Sequence, residues 1–83
     1  MNTAAIESSR LNRTLQGVLG VSAEDLSDDA SPDTIATWDS LNHLNLVLAI
    51  EAEFGVSLSA QDVLDLRNVG LIRTVLRDHG VDV

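Results

Sequence analysis

The sequence contains no cysteine, lysine or tyrosine, and only one proline, one tryptophan and one phenylalanine. Without cysteine there is no disulfide staple and no thiolate metal site. With aromatics reduced to Trp38 and Phe54, the core must come from aliphatic packing. A composition rich in Leu and Ala and poor in aromatics favours helices over strands. No stretch approaches the roughly 20 apolar residues of a membrane span. No positively charged segment followed by an apolar run opens the chain, so no signal peptide is recognised. The expected compartment is the cytoplasm. At 83 residues, the chain has room for one domain, 1–83, with a modest core.

Bases are scarce in a particular way. Thirteen acids face five arginines, for a net charge of −8. Ten of the acids lie between Glu24 and Asp65, a span that holds no base, while all five arginines and the other three acids lie at the two ends. The central field repels nucleic acid and anionic membrane. It would attract partners that carry basic patches and speed their encounter. There is also no phosphate-cradling glycine loop. Asp25, Asp28, Asp29 and Asp33 crowd together without the central glycine and closing glutamate of a calcium loop. His43 and His79 are too isolated to suggest a zinc site, so no metal is expected.

What the chain does contain is helical periodicity. A first helix is expected over 3–18, with Leu11, Leu15 and Val18 on one face and Gly17 and Gly20 marking its end. A long connection follows over 20–39. In it, Ser22 and Ser31 each look like the N-cap of a single short turn, and Val21, Leu26 and Ile35 are spaced to anchor the loop. The second helix is expected over 40–54, capped by Asp39 and stopped by Gly55. A short helix opens at Ser59 with Asp62 as its capping-box partner and supplies Val63 and Leu66. The last helix opens at Asn68, uses Val69, Ile72, Val75 and Leu76, and stops at Gly80. The expected fold is all-α: an irregular four-helix bundle of three longer helices and one short one, with a long loop between helices one and two.

The second helix is apolar on two sides. At about 100° per residue, Leu46, Val47, Ile50 and Phe54 form an ordinary core stripe. Leu41, Leu44 and Leu48 cluster on nearly the opposite side, flanked by Asn45 and Glu51. A second stripe implies either packing on the long loop or a partner surface. Ser40 stands where that stripe begins, at the helix end where free N–H groups and the positive end of the dipole would stabilise a phosphate. Taken alone, Asp39 and Ser40 also read as ordinary helix-start residues. Trp38, just before them, is either a loop anchor or part of the partner surface.

The run Trp38-Asp39-Ser40-Leu41, opening a helix after a long acidic loop, resembles the attachment motif of acyl carrier proteins. The likeness continues through residues 40–59, with Phe54 closing the helix, and Asn68-Val69 resembles the opening of the family's fourth helix. The resemblance implies a carrier without catalysis of its own. It implies 4′-phosphopantetheine joined to Ser40 by a phosphopantetheinyl transferase, with an acyl group held as a thioester on the arm. It further implies that Asp39 and Leu41 frame the attachment point. Leu44, Leu48 and Glu51, with Leu41, would be read by acyl-loading and acyl-processing enzymes. Cargo in related proteins can fold back into the core, which here would be lined by Leu46, Ile50 and Ile72.

Departures refine the expectation. Asn42, Asn45 and Ala52 stand where the fatty-acid type tends toward acids, and Ala36-Thr37-Trp38 replaces the Gly-Gly pair of the peptidyl type. A free-standing, specialised carrier, monomeric and serving a polyketide, lipid-modification or mixed pathway, is therefore expected. Two other readings use the same residues. A hydrolase would need Ser40, His43 and Asp39 to act together, but Asp39 is expected to be occupied in capping and no oxyanion element is evident. An acidic helical adaptor in a larger assembly would look the same if Ser40 were never modified.

Overall fold

The computed structural model describes residues 3–83. Four α-helices follow in order: α1 (Thr3–Leu19), α2 (Ser40–Phe54), α3 (Ala60–Asp65) and α4 (Val69–Asp78). No strand occurs among the described residues. α1 packs on α2, and α3 packs on α4.

α1 runs one residue further than the periodicity suggested, and its buried stripe is Leu11, Leu15 and Leu19. Val18 only borders the core, and Gly17 lies inside the helix. One internal glycine costs a helix about 1 kcal/mol, which buried leucines on either side of it offset. The stop is Gly20 alone, at φ 66°, its N–H donating to the Gln16 carbonyl at 2.8 Å.

The connection between α1 and α2 is ordered by burial at four points: Leu26, Ala30, Ile35 and Trp38. Val21 packs against the same core. Both short turns form. Ser22 precedes a 3-10 turn at Ala23–Asp25 and is held by the Asp25 carboxylate, and Ser31 Oγ accepts from the Asp33 N–H at 3.1 Å. The loop is then pinned to α4. The Val69 and Gly70 N–H groups, orphans of the helix start, donate to the carbonyls of Ala30 and Asp28, each at 3.0 Å. Arg73 of α4 reaches Asp28 at 3.1 Å and also donates to Ser8 and Asn12 of α1. One arginine thus ties the loop to two helices.

α3 forms as expected, with Ser59 Oγ accepting from the Asp62 N–H and Asp62 accepting from the Ser59 N–H, both at 3.0 Å. The same Asp62 carboxylate meets His79 Nε2 at 2.8 Å, at the end of α4. That hydrogen bond first, and the Ser59 backbone second, hold the Asp62 carboxyl below its ordinary value near 3.8. A carboxyl depressed on folding contributes stability that is fully present above its unfolded value and is lost as pH falls through the folded one. Thermal melts below about pH 4 should therefore fall more steeply for the native chain than for Asp62→Asn. Parallel acid limbs would show that the contact adds nothing.

Candidate functional site

Asp39 holds the start of α2. Its backbone is extended, with φ −97° and ψ −176°, and Oδ1 accepts from the Asn42 N–H at 2.8 Å. Its carbonyl accepts from the His43 N–H at 2.8 Å. Asn42 does more than stand in for an acid. Its Nδ2 donates to the Thr37 carbonyl at 2.7 Å, and Thr37 Oγ1 donates to the Leu19 carbonyl at 2.6 Å. A chain of hydrogen bonds thus runs from the end of α1 to the first turn of α2.

Ser40 is the first residue of that turn and is exposed. Its hydroxyl has no hydrogen-bond partner among the described residues, and neither do the N–H groups of Ser40 and Leu41. The site therefore presents a free hydroxyl at the positive end of a 15-residue helix. Beside it lies an open cleft of about 500 Å³, lined by Pro32, Trp38, Asp39, Ser40, His43 and Leu44.

Trp38 is a loop anchor, at 3% exposure. Its Nε1–H donates to His43 Nδ1 at 3.1 Å, and the rings stack at 6.3 Å and 16°. Because Nδ1 accepts, the neutral imidazole carries its proton on Nε2, and Nε2 donates to the Val63 carbonyl at 3.0 Å. Both ring nitrogens are occupied, so His43 has no lone pair to offer the Ser40 proton. Asp39 is equally committed, as the cap. The three side chains a hydrolase would need are neighbours in sequence but are not a nucleophile, base and orienter.

The second stripe is open to solvent: Leu41, Leu44 and Leu48 are 68%, 58% and 64% exposed. The opposite stripe is the core, with Leu46, Val47 and Ile50 buried and Phe54 packed beside them under the Arg10 guanidinium. Glu51 lies at the far end of the exposed stripe, half-buried, and its Oε2 accepts from the Leu58 N–H at 2.9 Å. It closes the loop into α3 as well as flanking the leucines. Leu46, Ile50 and Ile72 are fully buried together in the core.

Some residues of this region were not singled out for it by the sequence. Thr37 carries no local signal, because its partner is 18 residues away. Leu64, 69% exposed on α3, is on a helix of six residues, too short to show a stripe. The pairing of Trp38 with His43 bridges a loop and a helix, where periodicity is silent.

The sequence that builds this site is similar to known proteins. Residues 9–76 fit the family model described as a phosphopantetheine attachment site. The acyl carrier protein of Chlamydia trachomatis serovar L2 is 34% identical over 61 residues, which cover 74% of this chain and 79% of that protein. An exposed serine opening a capped helix, in a four-helix chain that fits this model over most of its length, places the chain in the phosphopantetheine-attachment family of acyl carriers, whose members carry intermediates and leave catalysis to other proteins.

Proposed function

We propose that Ser40 is the residue that bears the phosphopantetheine and that the chain serves a specialised pathway. The observation that carries the assignment is the Ser40 hydroxyl: exposed, unpartnered among the described residues, and first in α2. When attached, the arm supplies a thiol that holds an acyl group as a thioester. The chain's own residues hold and present it. Asp39 and Asn42 fix the turn, and the Ser40 and Leu41 N–H groups face the place a phosphate on Ser40 would occupy. Leu41, Leu44 and Leu48, flanked by Glu51, form the surface read by the transferase and by acyl-handling enzymes. Those partners present basic patches to the acidic centre of the chain. Support for a specialised pathway comes from Asn42, Asn45 and Ala52, which leave α2 with only two acids, Glu51 and Glu53.

The test is intact-mass spectrometry after incubation with coenzyme A, Mg²⁺ and a broad-specificity phosphopantetheinyl transferase, with Ser40→Ala alongside. The native chain should gain one phosphopantetheine and the variant none. No gain by a folded native chain, with the transferase active on a control carrier, would overturn the assignment and favour an unmodified helical adaptor.

A further inference from the structure

Four of the five arginines are already engaged. Arg10 pairs with Glu7 and Glu53, Arg73 pairs with Asp28, and Arg13 and Arg77 donate to the carbonyls of Ser9 and Val83. The fifth, Arg67, is exposed, and its guanidinium has no hydrogen-bond or ion-pair partner among the described residues. It stands two residues beyond the acidic span that ends at Asp65.

This free guanidinium borders an open cleft of about 400 Å³ between the long loop and α3. Pro32, Val63, Leu64 and Leu66 give the cleft apolar walls. Ser31 gives it a second donor. Its Oγ accepts from the Asp33 N–H at 3.1 Å, and its own proton has no acceptor among the described residues. His43 has no donor to spare, because Trp38 and Val63 occupy both ring nitrogens. Asp33 is the one acid lining the cleft, and it forms no ion pair with Arg67. Pro32 and His43 also line the cleft that contains Ser40, so the two clefts adjoin.

A guanidinium fork beside a hydroxyl suits a carboxylate, to which it offers paired, charge-assisted hydrogen bonds. Two constraints identify where that carboxylate would come from. A charged group at the end of an acyl chain has no place in the core, where Leu46, Ile50 and Ile72 are fully buried among apolar neighbours and an unpaired charge is very costly. The surface is no better, because the ten central acids repel anions. Of the residues lining the two clefts, Arg67 alone is an arginine or lysine. It is the point near Ser40 at which a negatively charged cargo finds an opposite charge.

We propose that Arg67 and the Ser31 hydroxyl form a site for a free carboxylate at the far end of the acyl group, so that the chain is fitted to carry dicarboxylic acyl groups. The inference rests on the assignment of Ser40 as the attachment residue and names the class of cargo that residue would bear. Arg67 acts here on the cargo, and the attachment of the arm itself does not depend on it.

An exposed ion pair is weak, so the readout is spectroscopic rather than an affinity. A broad-specificity phosphopantetheinyl transferase loads the chain from amide-linked analogues of succinyl- and butyryl-coenzyme A, which match in carbon count and differ in the terminal carboxylate. Mass spectrometry first confirms that each is attached. NMR spectra of the two loaded forms should then differ at the Arg67 Nε–H and at the amides of Ser31, Leu66 and Arg67. The difference should shrink as salt is raised. Arg67→Gln should load as fully as the native chain and lose the succinyl-specific shifts at Ser31 and Leu66. Asp33→Asn, which removes the opposing charge, should enlarge them. Spectra that agree at these residues for both cargoes would overturn the site, as would succinyl-specific shifts that survive in Arg67→Gln. Should Arg67→Gln fail to fold, the native comparison and its salt dependence decide the matter. A native chain that gains no mass from either analogue overturns the Ser40 assignment and this inference with it. Full loading without a succinyl-specific response overturns this inference alone.

Discussion

Trp38→Ala should lower stability by about 3–5 kcal/mol, the usual range for truncating a buried large aromatic. At roughly 0.05–0.15 kcal/mol per residue, a chain of 83 residues has on the order of 4–12 kcal/mol in total. The loss is therefore a large fraction of the whole. Trp38 is the one large aromatic in the core of this fold, since Phe54 is only partly buried. It is also where the 20–39 connection rejoins the bundle, immediately before the capped turn of α2. Its removal leaves a cavity, leaves His43 Nδ1 without its donor, and loosens the Thr37 to Asn42 link that positions Ser40. Trp38→Phe separates these effects. It keeps most of the apolar volume and loses the N–H, so the cost should fall to about 1–3 kcal/mol, the penalty of one unpaired acceptor. Urea unfolding followed by far-UV circular dichroism reads both values. A Trp38→Ala midpoint close to that of the native chain would show that Leu26, Ala30 and Ile35 hold the loop without the indole.

Most of the helical framework was legible because its signals are local. The Asp39, Ser59 and Asn68 caps and the Gly55 stop are each contained within one or two turns, and each sits where the sequence placed it. The double apolar character of α2 was equally readable, since periodicity alone separates Leu41, Leu44 and Leu48 from Leu46, Val47 and Ile50. Burial then decided the question periodicity left open. The second set does not pack on the long loop, because Leu26, Ala30, Ile35 and Trp38 of that loop turn into the core. The end of α1 was misplaced for a similar reason. Leu11, Leu15 and either Val18 or Leu19 satisfy helical spacing, and only the position of α2 selects Leu19.

The parts that stayed hidden are long-range. Nothing near Arg73 in sequence points to Asp28, Ser8 and Asn12, and nothing near His79 points to Asp62. The same holds for His43, which spacing alone makes a neighbour of Ser40. Its tautomer, and with it the loss of any role as a base, follows only from the tertiary placement of Trp38 and Val63. A polar residue's function depends on which partners claim its lone pairs and protons, and those partners come from elsewhere in the chain.

The exposed leucines lead to the second large expected effect. Replacing Leu44 and Leu48 together with Ala should reduce kcat/KM for phosphopantetheinyl transfer by about 10- to 100-fold, while stability changes by no more than about 0.5 kcal/mol. The two expectations have different physical origins. In the free chain these side chains are mostly in water, so truncation removes little packing. In a complex they would be desolvated at the centre of the contact, where a few apolar anchors carry most of the binding energy. The two residues are one turn apart, so their effects need not add, and both single variants belong in the comparison. Salt separates this apolar contribution from the acidic field. If the ten central acids steer encounter as proposed, raising ionic strength should lower kcat/KM for the native chain and the double variant by a similar factor. The leucine penalty should persist at every salt concentration, because it acts on contacts made after encounter. A double variant that is loaded as fast as the native chain would show that partners reach Ser40 without touching the stripe. A penalty that vanishes at high salt would assign the leucines' effect to the charges around them.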